Sequence, residues 1–226
     1  MRKTRLSYGL NIILLLMVVA LLLNKYGILT RTSIFGFRYQ DNPVYEAYES
    51  MFELNHTEVD VVFDGDSITF QGPFEEFFPD VKLLNRGISG DVTEGLLNRV
   101  DEIISHHPKK VFFLIGINDI LKNVNRKDTE ENYRQIVKKL MQELPGTQVL
   151  LQSVLPTGLG TDAKVQGLNQ YLRTLAEKTG ATYTDLYPAF LNADGSVNLN
   201  LYAGDSLHLN GNGYKVWIEQ IKEYIE

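Results

Sequence analysis

The chain contains no cysteine. That absence excludes disulfide staples, thiolate metal sites, a cysteine nucleophile and a lipid-acylated cysteine. It assigns no compartment, because a domain of this size folds without disulfides. Internal repeats and low-complexity tracts are also missing. Basic residues are few: 22 Lys and Arg stand against 28 Asp and Glu, a net charge of -6 over 226 residues. Residues 1–30 hold Arg2, Lys3, Arg5 and Lys25 and no acid, so the remainder carries 18 basic against 28 acidic residues, a net -10. A surface that acidic is repelled by phosphate backbones, and nucleic acid is not an expected partner.

Long apolar runs are confined to the N-terminus. Ile12–Leu23 is uninterrupted, and the stretch extends to about Leu10–Leu29 if Asn11, Asn24, Lys25, Tyr26 and Gly27 are tolerated. About twenty residues span a bilayer as a helix. Arg2, Lys3 and Arg5 favour a cytoplasmic N-terminus. The short central run also suits a signal peptide, but no small-residue cleavage site follows it. The sequence therefore predicts a basic stub and transmembrane signal anchor over residues 1–29, a tether and lead-in over 30–57, and an extracytoplasmic domain over 58–226. A cleaved leader would make that domain secreted.

From residue 58 onward, strand-like and helix-like patterns alternate. Val59–Asp64, Val81–Asn85, Val111–Ile115, Gln148–Gln152 and Thr182–Asp185 are short apolar or β-branched runs, as buried parallel strands are. Helical patterns cover about Val92–Ser105, Glu130–Leu144, Val165–Thr179 and Gly213–Ile225. The alternation predicts a three-layer α/β/α sandwich around a mostly parallel five-stranded sheet. Ligands bind beyond the carboxyl ends of such strands. Three polar clusters fall there: Asp64-Gly65-Asp66-Ser67, Asn85-Arg86-Gly87 and Gly116-Ile117-Asn118-Asp119.

A serine becomes a nucleophile only when a base takes its proton, usually a histidine oriented by a carboxylate. Ser67 is expected at a strand-to-helix turn that Gly65 lets bend sharply. Asp205-Ser206-Leu207-His208 precedes the last helix, and a three-residue separation lets Asp205 reach its own histidine ring. His208 is then the candidate base and Asp205 its orienter. Asp66, Asp91 and Asp119 read as structural acceptors.

At these residues the sequence resembles the SGNH/GDSL hydrolases, in their platelet-activating-factor acetylhydrolase-like branch. Gly65-Asp66-Ser67-Ile68 matches the first motif, with Ile68 in place of the usual Leu. Gly87 within Asn85–Asp91 matches the second, Gly116-Ile117-Asn118-Asp119 the third and Asp205-Ser206-Leu207-His208 the last. The resemblance covers about residues 58–225. It implies the flavodoxin-like SGNH fold, Ser67, Asp205 and His208 as catalytic residues, and an oxyanion hole from the Ser67 N–H, the Gly87 N–H and the Asn118 side chain. It implies no cofactor and no metal. The expected activity is hydrolysis of carboxylic esters, with short O-acyl esters of cell-surface glycan or lipid as the expected substrates.

Two other readings use the same residues. Val61-Val62-Phe63-Asp64-Gly65-Asp66 resembles the start of haloacid-dehalogenase-type phosphatases, with Asp64 as nucleophile, Asp66 as acid/base and magnesium required. Against it, Ile68 stands where those enzymes carry Thr. A non-catalytic glycan-binding module could use the many tyrosines, but it has no need of both Ser67 and Asp205-x-x-His208.

Overall fold

Five runs rich in β-branched and aromatic residues form the sheet of the computed structural model, which describes residues 37–225. They are β1 (Val61–Gly65), β2 (Leu83–Asn85), β3 (Lys110–Leu114), β4 (Gln148–Gln152) and β5 (Thr182–Thr184). Their order is β2-β1-β3-β4-β5, and every neighbouring pair is parallel. All five β1 positions are buried, Asp64 among them, so burial is continuous along the strand and does not alternate. The expected five strands are all present, with ends displaced by a residue or two.

The helices are α1 (Tyr45–Phe52), α2 (Ser67–Phe70), α3 (Phe74–Phe77), α4 (Thr93–Asn98), α5 (Val100–Ser105), α6 (Ile117–Leu121), α7 (Arg126–Glu143), α8 (Asp162–Thr179) and α9 (Gly211–Ile225). α4, α5 and α8 pack against α7 as one helical layer. On the other side Phe63 of β1 stacks on Phe74 at 3.8 Å, and Phe74 meets the edge of Trp217 from α9 at 5.2 Å. The buried Trp217 Nε1–H donates to Gln152 Oε1 at 2.5 Å, so its one polar group is satisfied at the end of β4.

Two elements depart from the sequence reading. The single helix expected over Val92–Ser105 is two helices, broken at Arg99. Arg99 turns inward, 2% exposed, and its guanidinium bridges the buried carboxylates of Asp64 and Asp91. The lead-in, read as a tether, carries a 3-10 turn at Tyr39–Asp41 and helix α1. Tyr45 is fully buried, donates its hydroxyl to the Gly95 carbonyl at 2.7 Å and packs with Phe52 around Ile88. Asn42 Nδ2 donates to the Ser89 carbonyl at 2.9 Å. The lead-in thus braces the loop after β2. The expected transmembrane segment lies outside the described residues. Among the described residues no helix is long and apolar enough to cross a membrane.

The chain runs from β1 to β2 on one side and then returns to β3 on the other. That reversal lies between β1 and β3, and in open α/β sheets ligands bind beyond the carboxyl ends of the strands at such a point. Ser67, Gly87 and Asn118 all follow strands that end there.

Candidate active site

Ser67 is the first residue of α2. Its N–H has no intrahelical acceptor, as for any residue in a first turn. Asp66 caps the helix, with Oδ1 accepting the Ile68 N–H at 3.0 Å. Gly65 is needed for close approach: a Cβ there would sit 2.1 Å from the Leu114 carbonyl oxygen and 2.3 Å from Thr69 Oγ1. Its φ is not among the positive ones, so what demands a glycine at this strand-to-helix turn is space and not a left-handed backbone.

The loop before α9 brings the distant partners in. His208 Nε2 lies 2.9 Å from Ser67 Oγ, and His208 Nδ1 lies 2.6 Å from Asp205 Oδ2. Asp205 Oδ1 accepts the N–H groups of Leu207 and His208, each at 3.0 Å. The His208 hydrogen bond, followed by those two N–H bonds, holds the Asp205 carboxyl down at about 2. An ionised carboxylate only accepts, so Nδ1 carries the ring proton and Nε2 presents its lone pair to the Ser67 hydroxyl. That is the tautomer a general base needs. Ser206, between the two, is held at φ 59°, a left-handed conformation costly for a non-glycine residue. The Gly158 N–H fixes it by donating to the Ser206 carbonyl at 2.9 Å.

α9 couples the two halves of this arrangement. Asn210 Oδ1 caps it through the N–H groups of Asn212 and Gly213, at 2.9 and 3.1 Å. Tyr214 then donates its hydroxyl to the Ile68 carbonyl in α2 at 2.8 Å. One helix therefore fixes both the serine helix and the histidine loop.

Asn118 enters from α6, which starts behind Gly116 at φ 116°. Its Nδ2 is buried and has no hydrogen-bond partner among the described residues. A buried amide donor left open costs stability, and it is poised for an acceptor that arrives with substrate. Gly87 differs from this. Its N–H already donates to Asn85 Oδ1 at 2.9 Å, and its Cα rests so close to α2 that a Cβ would meet Phe70 N at 2.3 Å. Of the three expected oxyanion donors, Gly87 is engaged at rest.

The neighbouring acids are structural. Asp119 accepts the Thr93 N–H at 3.0 Å, the Thr93 hydroxyl at 2.6 Å and the Thr129 hydroxyl at 3.1 Å. Asp66 Oδ2 is buried without a partner among the described residues, and burial pushes this carboxyl up to about 7. Asp64 is fully buried against Arg99 and closed to any substrate, so it cannot act as a phosphatase nucleophile. Among the described residues no cluster of three His, Asp or Glu side chains could hold a metal ion. Arg99, Tyr214 and the individual role of Asn85 were not legible in the sequence.

The model of the GDSL-like lipase/acylhydrolase family matches residues 64–216, from the strand before Ser67 to beyond His208. The chain belongs to this family. The platelet-activating factor acetylhydrolase IB subunit alpha1 of Pongo abelii is 30% identical over 168 residues, covering 70% of this chain and 71% of that protein. A GDSL-like lipase from Bacteroides thetaiotaomicron is 26% identical with a TM-score of 0.70, over 80% of this chain and 96% of that one. An acetylxylan esterase from Geobacillus stearothermophilus, at 19% identity and a TM-score of 0.62 over 75% and 94% of the two chains, shares the fold. This GDSL-like acylhydrolase is therefore an enzyme of the esterase and lipase class, and the phosphatase and binding-module readings are not favoured.

Proposed function

We propose that the chain is a serine esterase that removes short acyl groups, acetyl foremost, from hydroxyls of cell-surface glycan or lipid. The Ser67–His208–Asp205 hydrogen-bonded chain is the observation that carries this reading; the carboxylate partner assigns the ring proton to Nδ1. Ser67 Oγ attacks the ester carbonyl as its proton passes to His208 Nε2. Charge developing on the carbonyl oxygen is met by the Ser67 N–H, the Asn118 Nδ2 and the Gly87 N–H. Collapse expels the alcohol, which takes the proton from His208, and leaves an acyl group on Ser67. Water activated by His208 then releases the acid and restores the serine. Asp205 keeps the ring oriented and offsets its transient positive charge.

Acetyl is the acyl group named in both the acetylhydrolase and the acetylxylan esterase relatives. The loop after β4 packs onto the loop that carries Asp205 and His208: a Cβ on Gly158 would meet Ser206 Cβ at 2.6 Å. Anchoring by residues 1–29 would hold the domain at an extracytoplasmic membrane face. A series of p-nitrophenyl esters tests the acyl preference. Acetate should give the highest kcat/KM, and faster release from octanoate would overturn the short-chain reading.

A further inference from the structure

We propose that Asn85 is a positioning residue that sets the geometry between the nucleophile helix and the oxyanion donor of Gly87. The inference rests on the esterase reading above and goes one step deeper into the same site. Asn85 is the last residue of β2 and pairs in register with Phe63 of β1. Its side chain makes contacts in two directions. Nδ2 donates to the Thr69 carbonyl at 2.8 Å, with the Phe70 and Gly72 carbonyls at 3.3 Å. Thr69 and Phe70 are the last residues of α2 and Gly72 follows just beyond it; the Thr69 carbonyl also accepts the Gly72 N–H at 2.9 Å, so the Asn85 amide joins a turn that already closes the helix. Oδ1 accepts the Gly87 N–H at 2.9 Å.

The backbone explains why this second contact matters. The N–H groups of Arg86 and Ile88 point back to β1, donating to the Phe63 carbonyl at 2.7 Å and the Gly65 carbonyl at 3.0 Å. The Gly87 N–H between them faces away from β1. Its resting acceptor is the Asn85 side chain, and among the described residues no main-chain group takes that place. One amide therefore holds the C-terminal end of a four-residue helix whose first residue is Ser67, and it also fixes the N–H that must share its proton with the oxyanion. A helix this short has little rigidity of its own. Small errors in donor placement reduce electrostatic stabilisation of the transition state without changing how the resting ester binds.

Two variants test the assignment. Asn85→Ala removes both contacts. Asn85→Asp keeps the shape and the acceptor for Gly87 but loses the donor to α2. It also sets a negative charge beside a helix C-terminus and the developing oxyanion, both unfavourable. Each variant should lower kcat on p-nitrophenyl acetate by roughly tenfold to a hundredfold, a fraction of what losing a whole oxyanion donor costs. KM should stay within about twofold. The aspartate variant should be no better than the alanine one. Inactivation by a fluorophosphonate, whose P=O occupies the same hole, should slow in parallel. A kcat within threefold of wild type in the folded aspartate variant would overturn the proposal. So would a loss expressed in KM alone, or an unchanged inactivation rate per folded molecule, which is what a purely structural residue would give. If the alanine variant does not fold, the isosteric aspartate variant decides the matter. Failure of wild-type enzyme to be labelled at Ser67 would instead count against the esterase reading itself.

Discussion

Replacing Asn118 by Ala separates catalytic from structural roles with opposite signs. The Asn118 side chain is 8% exposed, and its Nδ2 is buried with no partner among the described residues. An unsatisfied buried donor costs a fold about 1–3 kcal/mol, so removing it relieves that penalty while leaving a small cavity. The two effects nearly cancel. Net stability should be unchanged or higher by about 1 kcal/mol, which for a domain of this length shifts Tm upward by about 2–4 °C at most. Activity should move strongly the other way. Losing one oxyanion donor typically removes about 2.7–4 kcal/mol of transition-state stabilisation, or roughly 100–1,000-fold in kcat, with little change in KM. The assay is steady-state hydrolysis of p-nitrophenyl acetate beside thermal unfolding of the same preparation. A helix-capping role predicts the reverse pattern, with a clear fall in Tm and a modest loss of rate. A drop in kcat below tenfold, or a Tm fall of more than about 4 °C, would refute the reasoning.

Other substitutions probe the surrounding shell. Asp205→Ala should cost roughly tenfold to a hundredfold in kcat, less than the roughly ten-thousandfold known for a buried orienting carboxylate. The reason is that the Asp205 side chain is 49% exposed and water can partly replace it; kcat measured across pH 6–9 checks this. Asp66→Asn should stabilise the fold more at pH 8 than at pH 4. The Asp66 carboxyl is raised to about 7 by burial, so the folded state keeps a proton that the unfolded state releases. Stability contributed by that group is present at low pH and is lost as pH rises from about 4 to 7, up to about 4 kcal/mol. Melting curves at the two pH values read the difference, and a constant gap between variant and wild type would contradict it. Arg99→Met strands the buried Asp64 and Asp91 carboxylates without their shared cation, and should destabilise by about 3–5 kcal/mol in denaturant unfolding.

Much of this architecture is legible in the residues because parallel strands are buried on both faces. Runs such as Val61-Val62-Phe63 and Val111–Leu114 therefore announce themselves by composition. The proposed catalytic trio is legible for a different reason. Ser67 and Asp205-x-x-His208 are types whose joint presence has few uses besides nucleophilic chemistry. What stayed hidden depends on three-dimensional company. The break at Arg99 leaves no mark in the helical pattern, because it follows from two carboxylates, one of them 35 positions earlier in the chain. α1 is not legible because its burial depends on Gly95 and Ile88, in segments that follow β2. The need for a glycine at position 65 comes from the Leu114 carbonyl across the sheet, and no local pattern encodes that contact.

The account depends most on Ser67 being the nucleophile, and covalent trapping tests this directly. Wild-type protein treated with a fluorophosphonate should gain one adduct, which peptide mass spectrometry should find on Ser67. Asn85, Gly87 and Asn118 can be intact and still leave this question open, so the companion measurement is Ser67→Ala: it should fold normally, take no label and lose p-nitrophenyl acetate hydrolysis. An adduct on another residue, or wild-type hydrolysis by the folded Ser67→Ala variant, would contradict the assignment.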